Sequence, residues 1–274
     1  MTTQTATSVV RQTAKRPKKL FRDWMYPTVA ILAIFAFWDL SIRVFEIRAF
    51  ILPSPREVGY SLYRDWGELA PNMLFTLYEI VIAFALSVIG GVSIALAIVS
   101  WRPMEKAIYP ILVGSQVIPK IAIAPLFVIW FGFGIEPKIL VAFLIAFFPV
   151  VISTVIGLRS IEIEKLYLAR SMGAGWFQTF LKIRLPNAMP SIFGGLKLSI
   201  TAAVIGAMVG EFIVADKGIG RVLLIANGEL ETDLLFAAIA LLSVTGVVLF
   251  LAIDILERII IRWHVSQRVK LEVY

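Results

Sequence analysis

Six stretches of this chain stay apolar for about the 20 residues that a helix needs to cross a bilayer core of about 30 Å. They run near residues 27–45, 72–100, 107–133, 139–158, 188–215 and 234–253. In lipid, every backbone N–H and C=O must find its partner within the protein, so helices and closed barrels are the structures that span it. Barrel strands are about 10 residues long with strict alternation, and none of these runs alternates. The expectation is an all-α integral membrane protein with six transmembrane helices. Composition agrees: 59% of residues are hydrophobic and 16% charged, with a mean hydropathy of +0.87. A soluble domain is about half apolar and about a quarter charged.

The net charge of +7 would suit nucleic acid, but the basic residues sit in short segments beside the apolar runs. That is the pattern of membrane topology, and no nucleic-acid partner is expected. With both termini inside, the cytoplasmic side gathers Arg11, Lys15, Arg16, Lys18, Lys19 and Arg22 of the tail, then Arg102 and Lys106. It also holds Arg159, Lys165, Arg170, Lys182 and Arg184 of one long loop, and Arg258, Arg262, Arg268 and Lys270. The other side keeps Arg43, Arg48, Arg56, Arg64, Lys138, Lys217 and Arg221. This bias predicts a basic cytoplasmic tail over 1–26, a transmembrane domain over 27–261 with a cytoplasmic loop at 159–187, and a cytoplasmic tail over 262–274. Residues 1–22 lack the apolar core of a signal peptide, and the Thr-, Gln- and Ala-rich stretch 1–16 reads as disordered. Pro53 and Pro55 end any helix there; residues 56–69 can form a short interfacial helix with Tyr60, Tyr63 and Trp66 among the lipid headgroups.

Several chemistries are absent. There is no cysteine, which excludes disulfides and thiolate sites. No Gly-Lys dipeptide occurs, so no Walker A phosphate loop can form. His264 stands alone in the basic C-terminal tail, and no catalytic set or metal motif can be assembled. The chain does not read as an enzyme, and it carries no cofactor of its own. If it transports, the energy comes from another subunit or an ion gradient.

The long loop is unusually ordered for a polar interruption. Residues 159–174 can form one short helix and 176–183 another, with Gly173 and Gly175 between them. Leu168, Met172, Trp176 and Phe177 give apolar faces, and Pro186 is expected to stop the second helix. Two short rigid helices can transmit force to a docked partner. The same pattern also suits an amphipathic segment lying on the membrane.

The spacing of Ala169, Gly173, Ile183, Leu185 and Pro186 resembles the signature loop of bacterial ABC importer permeases: Glu-Ala-Ala, three residues, Gly, nine residues, Ile-x-Leu-Pro. Tyr167 and Leu168 stand where that signature has Glu and Ala. The stretches 119–134, Phe148-Pro149, Gly157-Leu158 and 210–220 resemble the nitrate, sulfonate, taurine and thiamine-precursor branch. The likeness covers roughly 50–260. It implies the type I importer permease fold in a bacterial inner membrane. It also implies that two copies face each other as a homodimer and that two cytoplasmic ATPase subunits, carrying ATP and Mg, dock on the loop. An extracytoplasmic binding protein would deliver the substrate. The coupling residues implied are Tyr167, Leu168, Ala169, Gly173, Ala174, Trp176, Phe177, Ile183, Leu185 and Pro186. The branch suggests a small anion (sulfonate, taurine or nitrate) or a heterocycle of the thiamine-precursor or riboflavin type. A stand-alone secondary transporter or channel is the alternative, although no internal repeat supports it.

Ionisable groups inside a span mark either a pathway or a pair. Lys120, between Pro119 and Pro125, either faces the path and attracts an anion or snorkels to the interface. Lys197 either contacts substrate or pairs with Glu79 or Asp39, and the Gly194-Gly195 pair beside it allows close helix contact. Thr201 and Met208 line the path or simply pack. Glu211, with Gly218 and Gly220, reads as an outer gate or its support.

Overall fold

The structure, a computed structural model, describes residues 17–214 and 216–262, the side chains of 17–24 excepted. The stretch 1–16 and His264 lie outside the described residues. The chain divides into two compact units, Met1–Ile47 and Arg48–Val273.

The first unit is built on helix α1, Pro17–Val44. Phe35 stacks on Trp38 with ring centroids 6.0 Å apart. Asp39, expected to pair within the bundle, pairs instead one turn along its own helix with Arg43, at 2.7 Å.

The second unit begins with α2, Pro55–Arg64, which overlaps the 56–69 stretch read as one interfacial helix but ends at Arg64, so that Trp66 already opens the next helix. The start of α2 is a capping box: Glu57 N–H donates to Ser54 Oγ at 3.3 Å, and Ser54 N–H donates to Glu57 Oε2 at 2.6 Å. Pro55, read as a helix breaker, occupies the first turn, where its missing N–H costs nothing. Helix α3, Trp66–Ser100, follows, then α4, Arg102–Ser115, and α5, Lys120–Phe131. These last two correct the expected single span over 107–133: they are bent by 100° at their junction. Pro119 lacks a backbone donor and disfavours helical geometry at Ile118, so the chain turns there. Among the described residues, five helices are long and apolar enough to cross a membrane, or six if this bent pair is one span.

Helix α6, Ile135–Arg159, starts earlier than expected and takes Lys138 into the span. Helix α7, Ile163–Ser171, and α8, Trp176–Thr179, form the loop. A π turn at Phe180–Arg184 leads into α9, Leu185–Ile213. Helices α10, Ile219–Glu229, and α11, Thr232–Ile260, complete the described chain.

Helix α6 is the centre, packed between α3 and α9. Lipid supplies no hydrophobic drive between helices, so small residues that let backbones meet decide the contacts. Along the antiparallel α6–α9 seam, Gly210 meets Lys138, Gly206 meets Ala142, Gly195 meets Ser153, and Gly157 meets Ala188. Ser199 Oγ donates across it to the Ala146 carbonyl at 2.7 Å. On the other side Gly91 of α3 lies against Val150. Of the two glycines beside Lys197, Gly195 makes the close contact; Gly194 has nothing within 4 Å of where its Cβ would be. Leu74 and Ile89 on α3, Leu198 and Ile205 on α9, and Val244 and Leu251 on α11 remain exposed on this chain's surface.

Candidate functional site

The loop between α6 and α9 is closed at its base. Asn187 Nδ2 donates to Ser160 Oγ at 3.0 Å, and Arg159 pairs with Glu105 of α4 at 2.8 Å. Helix α7 ends in a Schellman motif. Gly173 has φ +77°. Its N–H donates to the Arg170 carbonyl at 3.0 Å, and the Ala174 N–H reaches back to the Ala169 carbonyl at 3.0 Å. This accounts for the Ala-x-x-x-Gly spacing: the glycine supplies the left-handed turn, and Ala169, 4% exposed, supplies the accepting carbonyl from a tight position.

What the loop presents is apolar. Tyr167, Leu168 and Met172 of the first arm and Trp176 and Phe177 of the second are all exposed. Trp176 stacks on Phe180 at 5.7 Å, which stiffens the second arm. Ile183 is half-buried, and Leu185 packs against the cluster of Leu158, Ala188 and Ile192. Pro186 does not stop a helix. It lies in the first turn of α9, and the preceding π turn, with Leu185 N–H donating to the Phe180 carbonyl, joins α8 to α9. A proline has no donor to give, and the first turn asks for none. The second arm is therefore joined through helical turns to a membrane-spanning helix.

At the other end of α9 the expected gate residues come together. Glu211 Oε1 accepts from Thr76 Oγ1 at 2.5 Å, and Oε2 accepts from Gly220 N–H at 2.5 Å. Gly218 N–H donates to Asn72 Oδ1 at 2.9 Å, and Ile219 N–H to Thr76 Oγ1 at 2.9 Å. Gly218, φ +105°, has no room for a Cβ, which would overlap the Glu211 carboxylate. Lys138 Nζ pairs with Asp216, donates to the Lys217 carbonyl at 3.0 Å, and lies 3.6 Å from Glu79 Oε1. Burial raises the Asp216 carboxyl, but the Lys138 ammonium and the neighbouring N–H groups outweigh it and hold it below its usual range. Glu79 thus has a basic partner, Lys138, in place of the Lys197 considered from sequence.

The proposed path residues do not converge on one site. Lys197 pairs with Asp254 and Glu257 of α11. Lys120 opens α5, reaching the Gln116 carbonyl at 3.5 Å and lying 4.8 Å from the Phe148 ring centre. Among the described residues, no hydrogen bond or ion pair joins the two lysines. Pro125 is exposed on α5. Thr201 and Met208 share a groove of about 460 Å³ between α9 and α11 with Ile239, Leu242 and Gly246.

Sequence reasoning missed Lys138, Thr76, Asn72 and Asp216 at the Glu211 cluster, and Asp254 and Glu257 at Lys197. Pro137 was a usable signal for the first: a proline in a helical first turn places the start of α6 before Lys138. The i, i+3 spacing of Asp254 and Glu257 likewise puts two acids on one helical face.

Residues 87–263 match the family described as "Binding-protein-dependent transport system inner membrane component". The chain is 36% identical over 248 residues to the riboflavin transport system permease protein of Chloroflexus aurantiacus, covering 87% of this chain and 90% of the relative. It is 35% identical over 246 residues to the formylaminopyrimidine transport permease protein of Halalkalibacterium halodurans, covering 88% and 96%. To a putative aliphatic sulfonates transport permease protein of Bacillus subtilis it is 29% identical over 255 residues, covering 92% of each.

Proposed function

We propose, since this chain belongs to the family of binding-protein-dependent transport system inner membrane components, that it is a homodimeric permease powered by separate ATPase subunits docked on its 159–187 loop. Both termini and the loop face the cytoplasm in this reading, and the opposite face receives the extracytoplasmic binding protein. The permease contributes the path; ATP hydrolysis belongs to its partners.

One observation carries the coupling role: an exposed apolar surface on two short helices whose second arm runs through helical turns into α9. A push on Trp176 or Phe177 is thus delivered to a membrane-spanning helix rather than absorbed by slack chain. Apolar area offered on rigid backbone is what a docking groove takes up.

For the substrate, the two relatives at 36% and 35% identity are named for riboflavin and formylaminopyrimidine. The relative at 29% is named for sulfonates. We therefore propose a nitrogen heterocycle ahead of a small anion. Lys197 supports that order, because its charge is already matched by Asp254 and Glu257.

The test is co-purification. Trp176→Asp with Phe177→Asp should insert normally and lose the ATPase. Retention of the ATPase with wild-type transport overturns the coupling role. Binding of riboflavin, a formylaminopyrimidine and taurine to the cognate binding protein decides the substrate class.

A further inference from the structure

The segment 216–220 is a strap fastened to the bundle. Its Gly218, Ile219 and Gly220 N–H groups are all taken by side chains of α3 and α9, and its Lys217 carbonyl is taken by Lys138. Nearly all of these fastenings are out of reach: Thr76, Glu79, Lys138 and Glu211 are each 0% exposed. Asp216 differs, with a side chain 47% exposed although its partner ammonium is fully buried.

We propose that Asp216 is the surface handle of this buried clasp, and that a cationic side chain of the extracytoplasmic binding protein opens the strap by taking Asp216 from Lys138. The proposal rests on the import reading and its orientation.

Three features support it. Lys138 is shared, so when Asp216 leaves and the strap lifts, the ammonium keeps Glu79 at 3.6 Å. No bare charge is stranded in the core, which would be prohibitive. Removal of Glu211 has no such cushion, because the Gly220 N–H would lose its acceptor inside the protein. The clasp therefore has a weak point where a partner can reach it. Second, the handle is a carboxylate and calls for a cation, an arginine best of all because its fork matches both oxygens. The nearby cations of this chain are engaged: Lys217 lies 5.9 Å from the Phe75 ring centre, and Arg221 pairs with Glu68 at 3.8 Å. Third, the strap follows directly on α9, the helix that begins at the loop proposed to hold the ATPase. A strap that can exchange Lys138 for a partner's cation is a two-state element that a partner on one face can bias.

The experiment uses the complete transporter in proteoliposomes and reads ATP hydrolysis with and without its binding protein. Asp216→Asn mimics capture of the handle. It should raise hydrolysis in the absence of binding protein by about fivefold or more, and it should shrink the further stimulation. Asp216→Glu, which keeps the charge, should behave as wild type. Wild-type basal and stimulated rates in Asp216→Asn overturn the proposal, as do equal changes in both variants. Failure of Asp216→Asn to insert overturns it too, because Lys138 is held to stay paired through Glu79. Should the wild-type chain bind no ATPase or ignore the binding protein, the import reading itself fails, and that outcome is separate.

Discussion

Gly206 on α9 lies so close to Ala142 on α6 that a Cβ on the glycine would stand 2.6 Å from the Ala142 Cα. Backbone against backbone leaves nothing flexible to give way. Gly206→Leu should therefore separate the two helices, at a cost of about 3 kcal/mol or more. The neighbours Gly194 and Gly195 supply an internal control. Gly195→Ala drives its Cβ into Ser153 and to 2.9 Å from the Pro149 carbonyl, whereas Gly194→Ala meets nothing within 4 Å. Thermal midpoints in detergent should fall for Gly206→Leu and Gly195→Ala. For Gly194→Ala they should hold or rise, since alanine is the better helix former by about 1 kcal/mol.

Gly173 makes a different demand, conformational rather than steric. Its φ is +77° and nothing lies within 4 Å of its absent Cβ. A side chain there pays the left-handed penalty of about 1–2 kcal/mol and nothing else. Gly173→Asn should keep the ATPase bound, because asparagine tolerates this conformation. Gly173→Val should loosen the junction of α7 and α8 and weaken the association while insertion stays normal. Equal co-purification of the valine and asparagine variants would show that the turn is not needed.

These two glycines also show what could be read in advance. Gly173 was legible because a left-handed turn writes a glycine at a fixed distance from the helix it ends. The apolar runs were legible because lipid allows few alternatives to a helix. Gly206 and Gly210 were not singled out, since a glycine in a span looks the same whether it faces a helix or lipid. Lys138 precedes an uncharged run and so reads as flanking the span, and its partner Asp216 is distant in sequence. Pro186 reads as a stop because a proline cannot continue a helix, yet the same residue is well suited to begin the next one. The 100° bend after α4 sits at a proline visible in the sequence, but a proline does not by itself fix the angle.

Asp65 gives α2 an acid-sensitive anchor. The Arg64 guanidinium, with hydrogen bonds of 2.9 and 2.8 Å, holds the Asp65 carboxyl below its usual 3.8; burial opposes this less strongly. Arg64 also reaches Asp233 of α11 at 3.3 Å. A depressed folded-state value means the contribution is complete above the unfolded value and fades as pH falls through the folded one. Protection factors over α2, with the intrinsic exchange rate at each pH divided out, should stay constant from neutral pH to about pH 4 and then fall. Asp65→Asn should exchange faster at neutral pH and lose most of that acid step. An unchanged acid step in the variant would assign the sensitivity elsewhere.

Lys197 separates a structural lysine from a substrate contact. Its side chain is 16% exposed and its ammonium faces the carboxylates of Asp254 and Glu257, whose side chains are each 12% exposed. Lys197→Met removes the cation that Asp254 and Glu257 share in a largely buried site, while Arg258 stays paired to Asp254 at 2.7 Å. Breaking such a set from one side costs about 3 kcal/mol or more. Thermal stability of Lys197→Met should fall accordingly. Lys197→Arg should recover much of it by keeping the charge. The double variant Lys197→Met, Asp254→Asn should lie above the single methionine variant, because the unmatched charge is reduced. Transport should track stability through this series, with the KM for substrate unchanged in every variant that folds. A variant of wild-type stability whose KM alone has risen would return Lys197 to the substrate path.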